Sequence, residues 1–186
     1  MVAEQLSKLA IAMSPSVVAA DLVPIFGKML KDPEAEVRTV AAHHVAEFCR
    51  HVPEQLVASD LMPGVGALAT DSSQHVKAAL AKEIMALAPH LGSELTIAEL
   101  LPLYLQLLRD ESSEVRLNVI SQLDVVSGVI GVGHISHSLM PAVMELAQDK
   151  QWRVRLAVIK FMPLLASQMG QQMFDEQVTS HASTLH

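Results

Sequence analysis

The nine histidines and one cysteine are where chemistry would first be sought in this chain. His43 and His44 are adjacent and diverge on a helix, whereas His134 and His137 are three apart and can share a face. Neither pair comes with the further ligands that bring a zinc site to three or four protein donors, so no metal is expected. Gly64 and Gly66 flank Val65 without forming a phosphate-binding loop, and no nucleophile elbow of the G-x-S-x-G type occurs. No constellation for catalysis is left, and neither an enzyme activity nor a cofactor is expected. What remains is recognition chemistry. Trp152, the only tryptophan, stands beside Arg153, a residue pairing enriched where proteins bind one another. The competing reading folds Trp152 back over its own helices.

Trp152 belongs to a larger order. Pro24, Pro63, Pro102 and Pro141 stand 39 residues apart, and so do Asp32, Asp71, Asp110 and Asp149. Val37, Val76, Val115 and Val154 keep the same step, each followed by a basic residue: Arg38, Lys77, Arg116 and Arg155. Leu22, Leu61, Leu100 and Leu139 precede the prolines by two. Columns kept in one register over four copies, with no insertion, mark an internal repeat.

Each copy reads as two helices. Leu22, Val23, Phe26, Met29 and Leu30 have helical spacing and form the first. Either this helix begins near Leu22, with Asp21 and Asp60 at the N-cap and the proline in the first turn, or it begins near Val17 and the proline bends it. After the aspartate turn, Val37, Ala41, Val45, Phe48 and Val52 make the stripe of the second helix, and Val115, Val119, Leu123, Val126 and Ile130 repeat it. Gly92, Gly131 and Gly170, again 39 apart, and Pro53 in the first copy, stop the second helix. A helical hairpin of this size cannot bury its apolar faces alone and must stack, so the fold class is all-α, an α-solenoid of antiparallel helix pairs of the HEAT type. Full repeats are expected at about 15–53, 54–92, 93–131 and 132–170, with a partial repeat at 1–14 and the start of another at 171–176. The array thus spans 1–176, and 177–186 is a divergent polar tail. Val2, Leu6, Leu9 and Met13 read as the end of a second helix. Apolar surface is expected to be open at both ends, so self-association there is an expected outcome.

Two sets of columns are candidates for function. Asp32, Asp71, Asp110 and Asp149, with Arg38, Lys77, Arg116 and Arg155, are expected to form a structural ladder between neighbouring copies. The turns between them vary, and variation on one edge of a regular array is where partner specificity would sit. Lys150, Gln151, Trp152 and Arg153 are the leading partner-binding residues. Glu34, Glu36, Gln74, His75, Glu111 and Glu114 on the other turns are weaker candidates.

Composition agrees. The chain is 51% hydrophobic but only 3% aromatic, which suits closely packed helices. Its net charge of -7 argues against nucleic acid as a partner. Cys49 shares a column with Ala88, Ser127 and Ala166 and reads as a small core residue, compatible with a reducing compartment. Most of the ten methionines fall on apolar columns. No apolar run is expected to reach the roughly 18 residues of a membrane helix, and the expected compartment is the cytoplasm, with the nucleus as a second.

The residues 32–38 (DPEAEVR), 71–77 (DSSQHVK), 114–124 (EVRLNVISQLD), 136–147 (SHSLMPAVMELA) and 152–157 (WRVRLA) resemble the scaffold A subunits of protein phosphatase 2A, and the similarity runs from Met1 to about Glu176. The resemblance implies a horseshoe of HEAT repeats without activity of its own. By that resemblance, the ridge of intra-repeat turns would hold a regulatory B-type subunit toward one end and the phosphatase catalytic subunit toward the other. This chain would be the middle of such an array. Turn 33–36 would lie near the end of the regulatory-subunit region, and turn 150–153 where the catalytic-subunit region begins. The alternatives are a HEAT-type transport or other protein-binding adaptor, and a truncated product without independent function.

Overall fold

A computed structural model describes residues 2–184, and the surroundings of side chains over 3–179. Every regular element among them is helical. The first helices of the four repeats occupy residues 15–29, 54–69, 93–108 and 132–146; the second helices are Ala35–Cys49, 74–91, 113–130 and Trp152–Met169. Helix Val2–Ala12 packs on Ala35–Cys49 at one end, and helix Gln171–Thr184 packs on Trp152–Met169 at the other. The residues expected to form a polar tail therefore continue, to 184, the helix that begins at Gln171.

The first helices begin early, so the prolines lie inside them. A π-helical turn precedes each proline: Val18–Leu22, Val57–Leu61, Thr96–Leu100 and Ile135–Leu139. In each the bond reaches back five residues, as from Val23 N–H to Val18 C=O. Proline lacks an N–H and its ring presses on the carbonyl four residues back; the widened turn makes room for both. Asp21 and Asp60 consequently sit within π turns and cap nothing. The first of these helices instead starts after Ser14, with Pro15 in its first turn.

The second helices of the last three repeats end at Gly92, Gly131 and Gly170, whose φ values of 71°, 78° and 81° are open to glycine at little cost. Gly92 and Gly131 also interrupt two spans, 74–108 and 123–146, that are long and apolar enough to cross a membrane. Each span is two helices meeting at a glycine, and the helices pack into the array.

One core runs the length of the stack. Phe26 of a first helix stacks on Phe48 of its second helix, ring centres 4.2 Å apart. Tyr104 is fully buried and donates its hydroxyl to the Val119 carbonyl at 2.8 Å. Gly64 lets the second repeat approach the first: a Cβ there would lie 3.0 Å from Leu30 Cδ1. The second helices differ along the array. The one at 74–91 tightens to a 3-10 turn at Ile84–Leu87, the one at 113–130 breaks at Ser121–Gln122, and Trp152–Met169 runs through Pro163.

Candidate partner-binding ridge

The turn that joins the two helices of a repeat is built the same way four times. Its aspartate accepts a backbone N–H two residues on: Glu34 to Asp32 (2.9 Å), Ser73 to Asp71 (2.8 Å), Ser112 to Asp110 (2.9 Å) and Gln151 to Asp149 (2.8 Å). This side-chain turn takes the place of an N-cap for the second helix. The free carboxylate oxygen then faces the preceding repeat. Arg38 Nε donates to Asp71 Oδ2 at 2.6 Å and Nη2 to Oδ1 at 3.0 Å. Lys77 Nζ donates to Asp110 Oδ2 at 2.6 Å. Arg116 Nη2 donates to Asp149 Oδ1 at 3.1 Å, and its Nε lies 2.8 Å from Oδ2, an ion pair whose N–H is not aligned as a hydrogen bond.

These pairs are mostly shielded from water; the Arg116 and Asp149 side chains are 6% and 8% exposed. Hydrogen bonding to Arg38 holds the Asp71 carboxyl below the ordinary carboxylate range and raises the guanidinium in return. The arginines also fasten their own turns: Arg38 Nη1 donates to the carbonyls of Asp32 and Pro33, and Arg116 Nη1 to those of Asp110 and Glu111. Arg155 makes the same carbonyl bonds to Asp149 and Lys150, but no carboxylate faces it among the described residues. Asp32, likewise, meets no basic side chain from a preceding copy among the described residues.

The ten residues proposed for partner binding stand above this base and are all exposed: Glu34, Glu36, Gln74, His75, Glu111, Glu114, Lys150, Gln151, Trp152 and Arg153. Trp152 is 59% exposed and does not fold back over its own helices; the Arg153 guanidinium lies 5.5 Å from its ring centre. An aromatic ring and a cation held ready on an outward edge can clamp a partner side chain or carboxylate. Leu156 and Ile159 continue this apolar strip at 42% and 61% exposure, although Ile120, one repeat earlier in the Ile159 column, is fully buried.

The model of the PPP2R1A-like HEAT repeat matches twice, over residues 15–92 and 93–170. The chain belongs to this HEAT repeat family. Over 47 residues it is 50% identical to the beta isoform of the 65 kDa regulatory A subunit of serine/threonine-protein phosphatase 2A from Homo sapiens, a match covering 25% of this chain and 8% of that protein. The crystal structure of Cex1p superposes with a TM-score of 0.80 over 92% of this chain and 33% of that one; at 17% identity it shows the helical solenoid fold alone.

Within the HEAT array the other candidates have structural surroundings. Cys49 is buried, and burial pushes its thiol up to about 12. His43, His134 and His137 are exposed, and His44 Nδ1 lies 3.3 Å from Glu47 Oε2. No group of three metal-ligating side chains occurs among the described residues. Some bonds between HEAT repeats were not anticipated: Asn118 Nδ2 donates to the Ala78 carbonyl at 3.0 Å, and His90 Nε2 lies 2.9 Å from the Val52 carbonyl. Asn118 was detectable as the one polar residue in a column of Val40, Ala79 and Ala157. His90 shares a column with His51, Val129 and Gln168, where no such contrast exists.

Proposed function

We propose that this chain is a non-catalytic scaffold that organises a serine/threonine protein phosphatase by presenting its intra-repeat turns to regulatory and catalytic subunits. Membership of the PPP2R1A-like HEAT family supports the scaffold reading, and the stretch shared with the human A-type beta isoform supports the choice of partner. The observation that carries the reading is the Trp152–Arg153 turn, where the only tryptophan stands exposed on the partner edge rather than in the core. Its turn is held by Asp149 and Arg155, so the ring is presented from a fixed backbone at small entropic cost. The compartment proposed for this role is the cytoplasm, with the nucleus as a second.

The test is capture of a purified phosphatase catalytic subunit by the immobilised chain and by Trp152→Ala. The expected result is capture by the wild-type chain and a loss of about tenfold or more in the variant at unchanged helicity. Capture that Trp152→Ala leaves intact would remove this turn from the interface, and no capture by a folded wild-type chain would overturn the phosphatase reading.

A further inference from the structure

The first and fourth repeats differ in side-chain size at the ridge. Where the fourth repeat projects Trp152 and Leu156, the first has Ala35 and Thr39 in the same two columns. Beside these small residues lies a cleft of about 330 Å³ lined by Ala35, Glu36, Thr39, Val40, Ser73 and His75. Thr39 donates its hydroxyl to the Ala35 carbonyl at 2.8 Å, so that group is already satisfied within its own helix and makes no demand on an occupant. Ala35 and Val40 supply apolar surface, and Glu36 is an exposed acid at the rim. A space of this size is at the lower end of those that hold small ligands, and it accommodates a single bulky side chain.

We infer that this cleft receives the Trp152 side chain of a second copy of the chain, with Arg153 of that copy paired to Glu36. A large apolar group next to a cation suits this floor and its acidic rim, and the described structure holds that combination, already in cation–π contact and open to solvent, on the turn of the fourth repeat. Knob and cleft are different patches, so the contact is heterologous. A copy bound through its knob still offers its cleft, so association either runs on head to tail or closes on itself, as a reciprocal pair or a ring. One anchored aromatic and one rim pair make a weak contact, and the net charge of -7 on each copy opposes it until salt screens the long-range repulsion. The inference does not depend on the phosphatase reading. It predicts that any partner covering Trp152 dissolves the assembly.

The sole tryptophan makes the test direct. Sedimentation velocity and tryptophan emission are followed on the chain alone, at physiological salt, over a micromolar-to-millimolar series. The expected result is a rising average sedimentation coefficient accompanied by a blue shift as the ring enters the cleft. Filling the cleft with Ala35→Met, or removing the knob with Trp152→Ala, raises the dissociation constant by about tenfold or more, with helicity unchanged by circular dichroism. Glu36→Arg and Arg153→Glu each weaken association, and equimolar mixing of the two single variants restores hetero-association. A chain that stays monomeric throughout overturns the inference, as does association indifferent to Ala35→Met and Trp152→Ala, or a charge exchange that restores nothing.

Discussion

Two steps of the same ladder use different cations. At the step from the third repeat to the fourth, the Arg116 guanidinium binds the carbonyls of its own turn at 2.6 and 2.9 Å and reaches Asp149 of the next repeat as well. At the step from the second to the third, Lys77 makes a single bond of 2.6 Å to Asp110 and none to the carbonyls of Asp71 and Ser72. Both close the gap between repeats, but only the arginine also ties the turn from which it comes. The planar fork of five donors makes the difference, because an ammonium acts as a point charge on a flexible stem. The neighbour contact is therefore general to the array, while the stiffness of each turn is set locally.

The largest expected effect comes from breaking the arginine step. Arg116→Ala leaves the Asp149 carboxylate buried without its cation, at a cost of about 3 kcal/mol. Thermal unfolding followed by circular dichroism should show a fall in Tm on the order of 6–12 °C; a fall no greater than for the lysine step would erase the distinction. Asp110→Ala attacks the lysine step, removing the partner of Lys77 and the acceptor for the Ser112 N–H. It should cost about 2 kcal/mol in the same measurement, and an unchanged Tm would mean that the ladder does not contribute.

Acid provides a graded version of the same test. Because Asp71 is held below the ordinary carboxylate value of about 3.9 by Arg38, its contribution is complete above that value and lost as pH falls through the lower folded one. Melts of wild-type and Asp71→Asn chains should differ near neutrality and converge in strong acid; parallel curves would deny the pair a role. The smallest effect sharpens the comparison. Lys77→Arg places a fork at the offset that Arg38 and Arg116 use, and should gain at most about 1 kcal/mol, or roughly 2–4 °C.

Much of this was legible in the columns. The repeated Asp and basic residues lie on the part-buried base of the ridge, and the varying residues between them on its exposed crest, because positions that every copy needs for stacking cannot vary while outward ones can. The spacing could not reveal the direction of each rung, since an aspartate can pair forward or back until the stack has a handedness. The choice between a capped and a bent first helix was equally closed to inspection. Asp21 and Asp60 have the right chemistry for a cap, and only the backbone shows that the chain had already turned helical at residue 15 and absorbed the proline with a π turn. The break at Ser121–Gln122 has no breaker residue to announce it.

The ladder occupies one edge of the stack, where the helices of each pair are joined. Along that line charged bonds tie each repeat to the next, whereas elsewhere the layers are held mainly by apolar packing. An object bound inextensibly along one margin bends as pages turn about a spine. Load applied to its two ends would be carried by the bonded margin, with curvature taken up by fanning on the opposite side. The crest that carries Trp152 lies on that bonded margin.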